Sequence, residues 1–230
     1  MQGRFEDRPH HPSYGQKSMF ITLEGPDGSG KTSQIKPLAE WLETLGYSVH
    51  TAREPGGTVI SEQIRNIIHD LKNTEMHPHT ETLLYQAARA QIVEQIFRPK
   101  LAEGWIVLCD RYADSTMAYQ GYGHQQNLEE VRTLVRYATS GLTPDLTLLL
   151  DVDAETGLKR GSQRHYNGGE WNRLDAYKLD FHRRVREGYL ELARQEPARW
   201  AIIDAGQAWE VVQSNLRAEI LRHLKRPAGK

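Results

Sequence analysis

The chain has 230 residues, which is enough for one α/β domain with a sizeable core and short for two. Its 29 Lys and Arg residues nearly balance its 30 Asp and Glu residues, so it lacks the broad basic field that binds nucleic acid or a membrane surface, and we expect neither partner. No apolar stretch approaches the ~20 residues that span a bilayer, and the N-terminus has no signal-peptide core, so we expect a cytoplasmic protein.

Residues 1–18 are polar, rich in His and Pro, and without periodicity. They predict a flexible N-terminal extension, followed by one domain over 19–230. His10 and His11 suit a metal site, but a solvated tail is the simpler interpretation. From Phe20 onward, short apolar strands alternate with amphipathic helices, which is typical of a parallel sheet covered on both faces. The predicted strands are Phe20–Leu23, Tyr47–Thr51, Ile106–Cys109, Leu146–Leu150 and Ala201–Ile203.

Between the strands, apolar residues recur at helical spacing. One stripe consists of Ile35, Leu38, Ala39, Leu42 and Leu45. A second stripe consists of Ile60, Ile64, Ile67, Ile68 and Leu71. Longer helical patterns cover 80–97, 128–140, 177–196 and 208–224. The polar segment 161–172 contains Gly168-Gly169 and predicts a mobile loop, belonging to a lid over about 161–173.

The eight residues Gly25–Thr32, which follow the first predicted strand, match the phosphate-loop pattern G-x-x-x-x-G-K-[ST]. A helical pattern comes after them. Glycines let successive backbone N–H groups turn toward a phosphate, and the helix N-terminus adds partial positive charge. We expect Lys31 to reach the β- and γ-phosphates of ATP, and Thr32 to bind Mg²⁺. The predicted ATP site consists of Gly25, Pro26, Asp27, Gly28, Ser29, Gly30, Lys31 and Thr32.

An acidic residue follows the third predicted strand. Asp110 comes directly after five apolar residues and is a candidate second ligand of Mg²⁺. A salt bridge to Arg111 is the alternative interpretation. Its neighbour Cys109 is the one cysteine of the chain and is predicted to be a buried structural thiol in a reducing compartment. The phosphate loop by itself also fits GTPases, motors and many kinases.

Four further segments, in order along the chain, resemble the thymidylate kinase family of bacterial type. They are Arg53–Thr58, Leu83–Gln91, Asp110–Tyr112 with Ser115–Gly121, and Pro144–Leu146 with Leu149–Val152 and Arg173–Asp175. The resemblance covers about 19–223. It implies an α/β fold of the P-loop nucleoside monophosphate kinase type, with a five-stranded parallel sheet flanked by helices on both faces and a short lid. It also implies a homodimeric dTMP kinase that uses MgATP to form dTDP for dTTP synthesis.

An acceptor nucleotide requires cations for its phosphate, a flat apolar surface for its base and polar groups at the base edge. Arg111 comes just beyond a strand, where ligands bind in open α/β sheets, and by resemblance it contacts the dTMP phosphate. Arg53 and Arg65 are weaker candidates for the phosphate side. An exposed salt bridge is the alternative for Arg65.

The base has its own candidates. Tyr85 and Arg89 are four residues apart, hence on one helix face. The resemblance implies that this tyrosine stacks on thymine and that the arginine hydrogen-bonds to it, with core packing as the alternative for Tyr85. Thr116 and Gln120 have the same spacing and are candidates for the thymine edge.

The resemblance also assigns residues to the deoxyribose and to the positive charge that assists transfer. It implies that Asp27 accepts the 3′-hydroxyl and that Tyr119 excludes a ribose 2′-hydroxyl. Gly28 stands where some family members carry an arginine, so we expect the lid to supply the cation. We favour Arg164 as a catalytic residue beside Lys31 and Arg111. The other lid arginines are Arg160 and Arg173.

Two features depart from the family pattern. His124 stands where bacterial relatives often have arginine, and segment 165–171 does not align cleanly with a lid pattern. The predicted reaction is a direct in-line transfer without a covalent enzyme intermediate. The alternatives are a kinase for another nucleoside monophosphate or for a deoxynucleoside, and a nucleotide-binding regulator that transfers nothing.

Overall fold

The strands form one parallel sheet. The structure, a computed structural model, describes residues 18–166, 168 and 177–225, and of Arg164 the backbone alone. Within them the strand order is β2-β3-β1-β4-β5, with every pair parallel. The bounds are β1 Met19–Glu24, β2 Val49–Arg53, β3 Ile106–Asp110, β4 Leu146–Asp151 and β5 Trp200–Asp204. The prediction of a five-stranded parallel sheet is confirmed.

The second strand begins two residues later than its predicted start at Tyr47. The backbone N–H of Tyr47 donates to Leu42 O at 3.2 Å, and that of Gly46 donates to Glu43 O at 2.9 Å. Gly46 has a φ of 90°, so these residues form the C-terminal turn of the preceding helix. The predicted strand start was wrong because the helix end uses the Tyr47 N–H.

Helices cover the connections between the strands. Their bounds are α1 Lys31–Thr44, α2 Val59–His69, α3 Pro78–Ile92, α4 Arg98–Ala102, α5 Ala113–Thr116, α6 Leu128–Thr139, α7 Ala154–Tyr166, α8 Leu179–Gln195 and α9 Trp209–Leu224. Two π-helical segments, Val93–Phe97 and Met117–Gly123, continue α3 and α5. The sequence did not predict the helix over 113–123, because its wider π turns do not follow the 3.6-residue period. In the described part of the chain, no helix combines the length and apolar character of a bilayer span.

The sheet is buried between two apolar layers. On one face Ile21 and Leu23 of β1 pack with Leu38 of α1 and Leu216 of α9. On the other face Phe20 packs with side chains from the α3 region and the turn after β3, while β4 packs against α8. Cys109 is fully buried, and burial raises the pKa of its thiol, as expected for a structural cysteine.

The end of α7 corrects the loop prediction. Residues 161–166 are helical and continue α7. A glycine in a helix interior costs only about 1 kcal/mol, so Gly161 does not end the helix, and Arg160 anchors it by donating to Ala205 O at 2.8 Å. Residues 167 and 169–173 of the predicted lid, including Arg173, and the N-terminal extension up to residue 17 lie outside the described residues.

Candidate active site

A cavity of about 620 Å³ opens where the strands end at their carboxyl edge. It extends from the phosphate loop to the β2–α2 connection, α3 and the π-helical segment after α5. Most of the predicted site residues line it: Asp27, Gly28, Gly30, Lys31, Thr32, Arg53, Arg65, Tyr85, Arg89, Asp110, Arg111, Thr116, Tyr119 and Gln120. Gly25, Pro26 and Ser29 belong to the same loop but do not line the cavity.

The phosphate loop follows β1 and is in backbone contact with α7. Gly28 has a φ of 75°, which disfavours a side chain. A Cβ at Gly28 would lie 2.0 Å from Gly157 O, and a Cβ at Gly157 would lie 2.4 Å from Asp27 O. This contact excludes an arginine at position 28 unless α7 moves. The backbone contact with Gly157 therefore requires glycine at position 28.

Lys31 is folded back onto its own loop. Its Nζ donates to Gly25 O and Pro26 O, both at 2.9 Å, and to Ser29 Oγ at 3.1 Å. Burial lowers the pKa of Lys31 to about 8, and the charge of Arg111 acts in the same direction. The ammonium is therefore held at the loop by neutral oxygens, which a phosphate group can replace.

Thr32 and Asp110 meet at the start of α1. The Thr32 hydroxyl donates to Asp110 Oδ2 at 2.6 Å, and both residues line the cavity. The carboxylate that pairs with Arg111 in the structure is Asp27, whereas Asp110 contacts Thr32. A hydroxyl and a carboxylate in contact are oxygen ligands of the kind that Mg²⁺ uses beside phosphates and water.

Arg111 connects the two halves of the cavity. Its backbone has a φ of 68°, and its Nη2 contacts Asp27 Oδ1 and donates to Tyr119 Oη at 3.1 Å. Tyr119 in turn donates to Asp27 Oδ2 at 2.8 Å. Burial acts to raise the pKa of Asp27, but the charges of Arg111 and Lys31 outweigh it and lower that pKa. Asp27 is thus held as a carboxylate in the phosphate loop by Arg111 and Tyr119.

The sequence did not predict Glu24, a buried acid that shares two hydrogen-bond partners with Arg111. Glu24, the last residue of β1, accepts from the backbone N–H of Tyr112 at 2.7 Å, from Ser115 Oγ at 2.6 Å and from Tyr189 Oη at 2.9 Å. Ser115 and Tyr189 also accept from Arg111 Nη1, each at 3.3 Å. Burial raises the pKa of Glu24 to about 7. Its position before the phosphate loop was visible in the sequence, but its partners lie up to 165 residues away.

Arg89 is fully engaged by the protein around it. Its Nε donates to Glu54 Oε2 at 2.7 Å, its Nη1 to Thr116 Oγ1 at 2.8 Å and its Nη2 to Tyr112 O at 2.9 Å. Burial raises the pKa of Glu54 to about 7 despite the charge of Arg89, and Glu54 Oε1 accepts no hydrogen bond in the described structure. Glu54 is a second site residue that the sequence did not reveal.

Thr116 and Gln120 form an ordered polar edge of the cavity. Thr116 Oγ1 accepts from Arg89 and from Gln86 Nε2 at 3.0 Å, so its own hydrogen is left to donate into the cavity. Gln120 Nε2 donates to Glu81 Oε1 at 2.8 Å, which turns the amide oxygen toward the cavity that Gln120 lines. The edge therefore presents a donor beside an acceptor.

The remaining candidates lie at the cavity mouth or beyond it. Arg53 pairs with Glu62 at 3.0 Å and donates to Pro55 O, to which Arg65 also donates at 3.1 Å. His69 lines the same part of the cavity and was not predicted. Tyr85 lines the cavity and also packs against the apolar layer between β4 and α8. The side chain of Arg164, the favoured lid cation, lies outside the described residues.

A phosphate loop between the central strand and its helix, with a polar edge in the same cavity at the carboxyl ends of the strands, defines a P-loop kinase of the nucleoside monophosphate type. A sequence model described as "Thymidylate kinase" matches residues 23–216. The chain is 50% identical to a thymidylate kinase of Roseiflexus castenholzii over 216 residues, covering 90% of this chain and 94% of that protein.

Two further similarities agree. A thymidylate kinase of Herpetosiphon aurantiacus is 46% identical over 228 residues, covering 90% of this chain and 97% of its own. The crystal structure of thymidylate kinase from Ehrlichia chaffeensis superposes with a TM-score of 0.71 at 33% identity, covering 90% of this chain and 99% of that one. The chain belongs to the thymidylate kinase family.

Proposed function

We propose that the protein transfers the γ-phosphoryl group of ATP to the 5′-phosphate of dTMP, forming ADP and dTDP on the route to dTTP for DNA replication. The observation that carries this proposal is that three sets of groups line one cavity. They are the phosphate loop, Arg111, and the Thr116 and Gln120 side chains, and Arg111 contacts both Asp27 of the loop and Tyr119, the neighbour of Gln120.

The base edge favours thymine chemically. Thymine offers the O4 acceptor next to the N3–H donor, which matches a hydroxyl donor at Thr116 and an amide oxygen at Gln120. Cytosine offers a donor and an acceptor in the reverse order. Tyr85 supplies an aromatic surface at the same cavity.

The sugar and the acceptor phosphate meet the Asp27–Arg111 pair. The Asp27 carboxylate accepts the deoxyribose 3′-hydroxyl, and the Tyr119 ring leaves no room for a ribose 2′-hydroxyl. The dTMP phosphate competes with Asp27 for the Arg111 guanidinium, while Arg53 and Arg65 add positive charge at the mouth of the cavity. Arg111 thereby positions the attacking oxygen.

Transfer is a single in-line step. A dTMP phosphate oxygen bonds to the γ-phosphorus as the bond from that phosphorus to the β,γ-bridging oxygen breaks. Lys31 stabilises the charge that develops on the transferring group, and Arg164 of the lid adds a second cation. The attacking phosphate is already anionic near neutral pH, so it requires no base for activation.

Magnesium fits the described residues. Thr32 and Asp110 would hold it together with water and the ATP phosphates, which is the shell that Mg²⁺ prefers. When bound, the ion neutralises phosphate charge.

A homodimer follows from the family resemblance, and an exposed aliphatic surface supports it. The surface consists of Val59, Ile60, Ile67, Leu71 and Leu83, each about half exposed or more, on and beside α2 and α3. The N-terminal extension, the lid and a cytoplasmic location stay predictions of the sequence.

An acceptor panel with MgATP tests the proposal. We expect turnover of dTMP to exceed that of dUMP, dCMP and thymidine. If another acceptor is turned over well above dTMP, the protein is a kinase for that acceptor. Binding of both ATP and dTMP without ADP formation would instead identify a nucleotide-binding regulator.

A further inference from the structure

Gln120 donates a hydrogen bond to Glu81, a buried acid that has no role in the proposed phosphoryl transfer. Gln120 lies in the π-helical segment Met117–Gly123 and is 2% exposed, and Glu81 in α3 is fully buried. Glu81 Oε1 accepts from Gln120 Nε2 at 2.8 Å and lies 3.1 Å from His124 Nε2. One carboxylate oxygen therefore receives two donors.

The chemistry of these groups fixes the orientation of the amide. A side-chain amide can rotate by 180°, which exchanges its donor and its acceptor. A carboxylate only accepts, so the Gln120 group facing Glu81 must be the NH₂, and the oxygen faces the cavity. Glu81 is in the first turn of α3, where the helix dipole favours its negative charge.

His124 completes the arrangement. Its ring makes an edge contact with Tyr177 and a tilted contact with Phe181, with centroids 5.1 Å and 5.0 Å away, and its backbone N–H donates to Tyr119 O at 2.9 Å. Because Glu81 only accepts, His124 Nε2 carries a hydrogen and donates it. The imidazole thus holds the carboxylate oxygen at the point where Gln120 meets it.

We propose that Glu81 and His124 are positioning residues that lock the Gln120 amide oxygen toward the base and thereby set the preference for thymine and uracil over cytosine. This inference rests on the proposed function of the same site. Thymine and uracil present N3–H to that oxygen. Cytosine presents an unprotonated N3, which an amide NH₂ would bind and an amide oxygen repels.

A comparison of three acceptors distinguishes the contribution of the base edge to specificity from that of the methyl group. dTMP and dUMP share the edge and differ in the methyl group, whereas dUMP and dCMP both lack the methyl group and differ at the edge. We expect Glu81→Gln to lower the ratio of kcat/KM for dUMP to that for dCMP about tenfold, the factor of one ordinary hydrogen bond. The dTMP-to-dUMP ratio and the KM for ATP stay unchanged.

Two variants of His124 keep the test informative if Glu81→Gln does not fold. His124→Phe keeps the ring contacts but removes the donor, so it should lower the dUMP-to-dCMP ratio. His124→Arg restores a donor and should keep the ratio near the wild-type value. Glu219→Gln on α9 is the matched control for the loss of a carboxylate and should change no ratio.

The outcomes are distinct. An unchanged dUMP-to-dCMP ratio in folded, active Glu81→Gln or His124→Phe overturns the inference. Equal losses for all three acceptors also overturn it, since they indicate general loosening of the site. A wild-type enzyme that does not phosphorylate dTMP would instead defeat the proposed function itself.

Discussion

At the scale of single residues, the charged groups of the cavity are held mainly by protein atoms. Lys31 donates to three oxygens of its own loop, and Arg111 contacts Asp27. A bound phosphate must compete with these internal partners, so each cation exchanges one set of oxygens for another. Such an exchange accelerates the reaction only where the cation binds the transition state more strongly than the bound substrates.

Lys31→Ala tests the role of the loop ammonium. We expect kcat to fall about 100-fold or more, with a smaller change in the KM for dTMP, because the proposed role of the lysine is to stabilise the transferring group. Steady-state kinetics with dTMP as acceptor measures this, with Lys36→Ala on the exposed side of α1 as the control. An unchanged kcat in the loop variant would remove Lys31 from the mechanism.

Arg111→Ala tests the acceptor side. We expect the KM for dTMP to rise about tenfold or more while the KM for ATP changes little, because the proposed role of the guanidinium is to bind the acceptor phosphate. Initial rates at varied dTMP and at varied ATP separate the two constants. A rise in the KM for ATP alone would place Arg111 on the donor side instead.

At the scale of elements, the site depends on contacts between segments that are distant in sequence. The motif Gly25–Thr32 is local, so the sequence alone predicted the loop and its place between β1 and α1. Its binding of ATP stays a prediction. Glu24, Glu54 and Glu81 could not be assigned in this way, because each acquires its role from partners on other elements. The positive φ of Arg111 was also hidden, since a non-glycine residue gives no local signal for it.

The contact between the phosphate loop and α7 can be tested by adding one side chain. Gly157→Val places a Cβ 2.4 Å from Asp27 O, so we expect the loop to shift and the KM for ATP to rise about tenfold. ATP kinetics and thermal denaturation measure this.

Gly161→Ala is the matched control on the same helix. A Cβ there meets nothing within 4 Å, and alanine favours the helix by about 1 kcal/mol, so Tm should rise slightly and the KM for ATP should not change. Equal kinetics for Gly157→Val and wild type would show that the loop tolerates the shift.

At the scale of the whole molecule, buried acids link stability to pH. The pKa of Glu54 is raised by burial from 4.5 to about 7, so between these values the folded chain binds a proton that the unfolded chain does not. Protonation of Glu54 therefore contributes fully to the free energy of unfolding below pH 4.5, and this contribution is lost as the pH rises through about 7.

Urea denaturation from pH 5 to pH 7.5 tests this linkage. The free energy of unfolding of Glu54→Gln should depend less on pH than that of the wild type, whatever its absolute stability. The difference between the two curves removes the contribution of the histidines, which both proteins share. Parallel curves would show that Glu54 titrates near its ordinary pKa when folded.

Assembly is the other property of the whole molecule. Ile60→Glu with Ile67→Glu puts two charges on the aliphatic surface of α2, so we expect this variant to be monomeric where the wild type forms the proposed homodimer. Light scattering coupled to size exclusion measures the mass, and Val211→Glu on α9 is the control. A dimeric double variant would place the interface elsewhere.

The backbone contact between Gly28 and Gly157 also has an evolutionary consequence. Because a Cβ at either glycine would meet a backbone oxygen of the other segment, relatives that keep this contact should keep glycine at both positions. A lineage that acquired a side chain at position 28 must have displaced the helix carrying position 157. An arginine in the phosphate loop is therefore expected to require a shift of the backbone of α7, which no single substitution in the loop supplies.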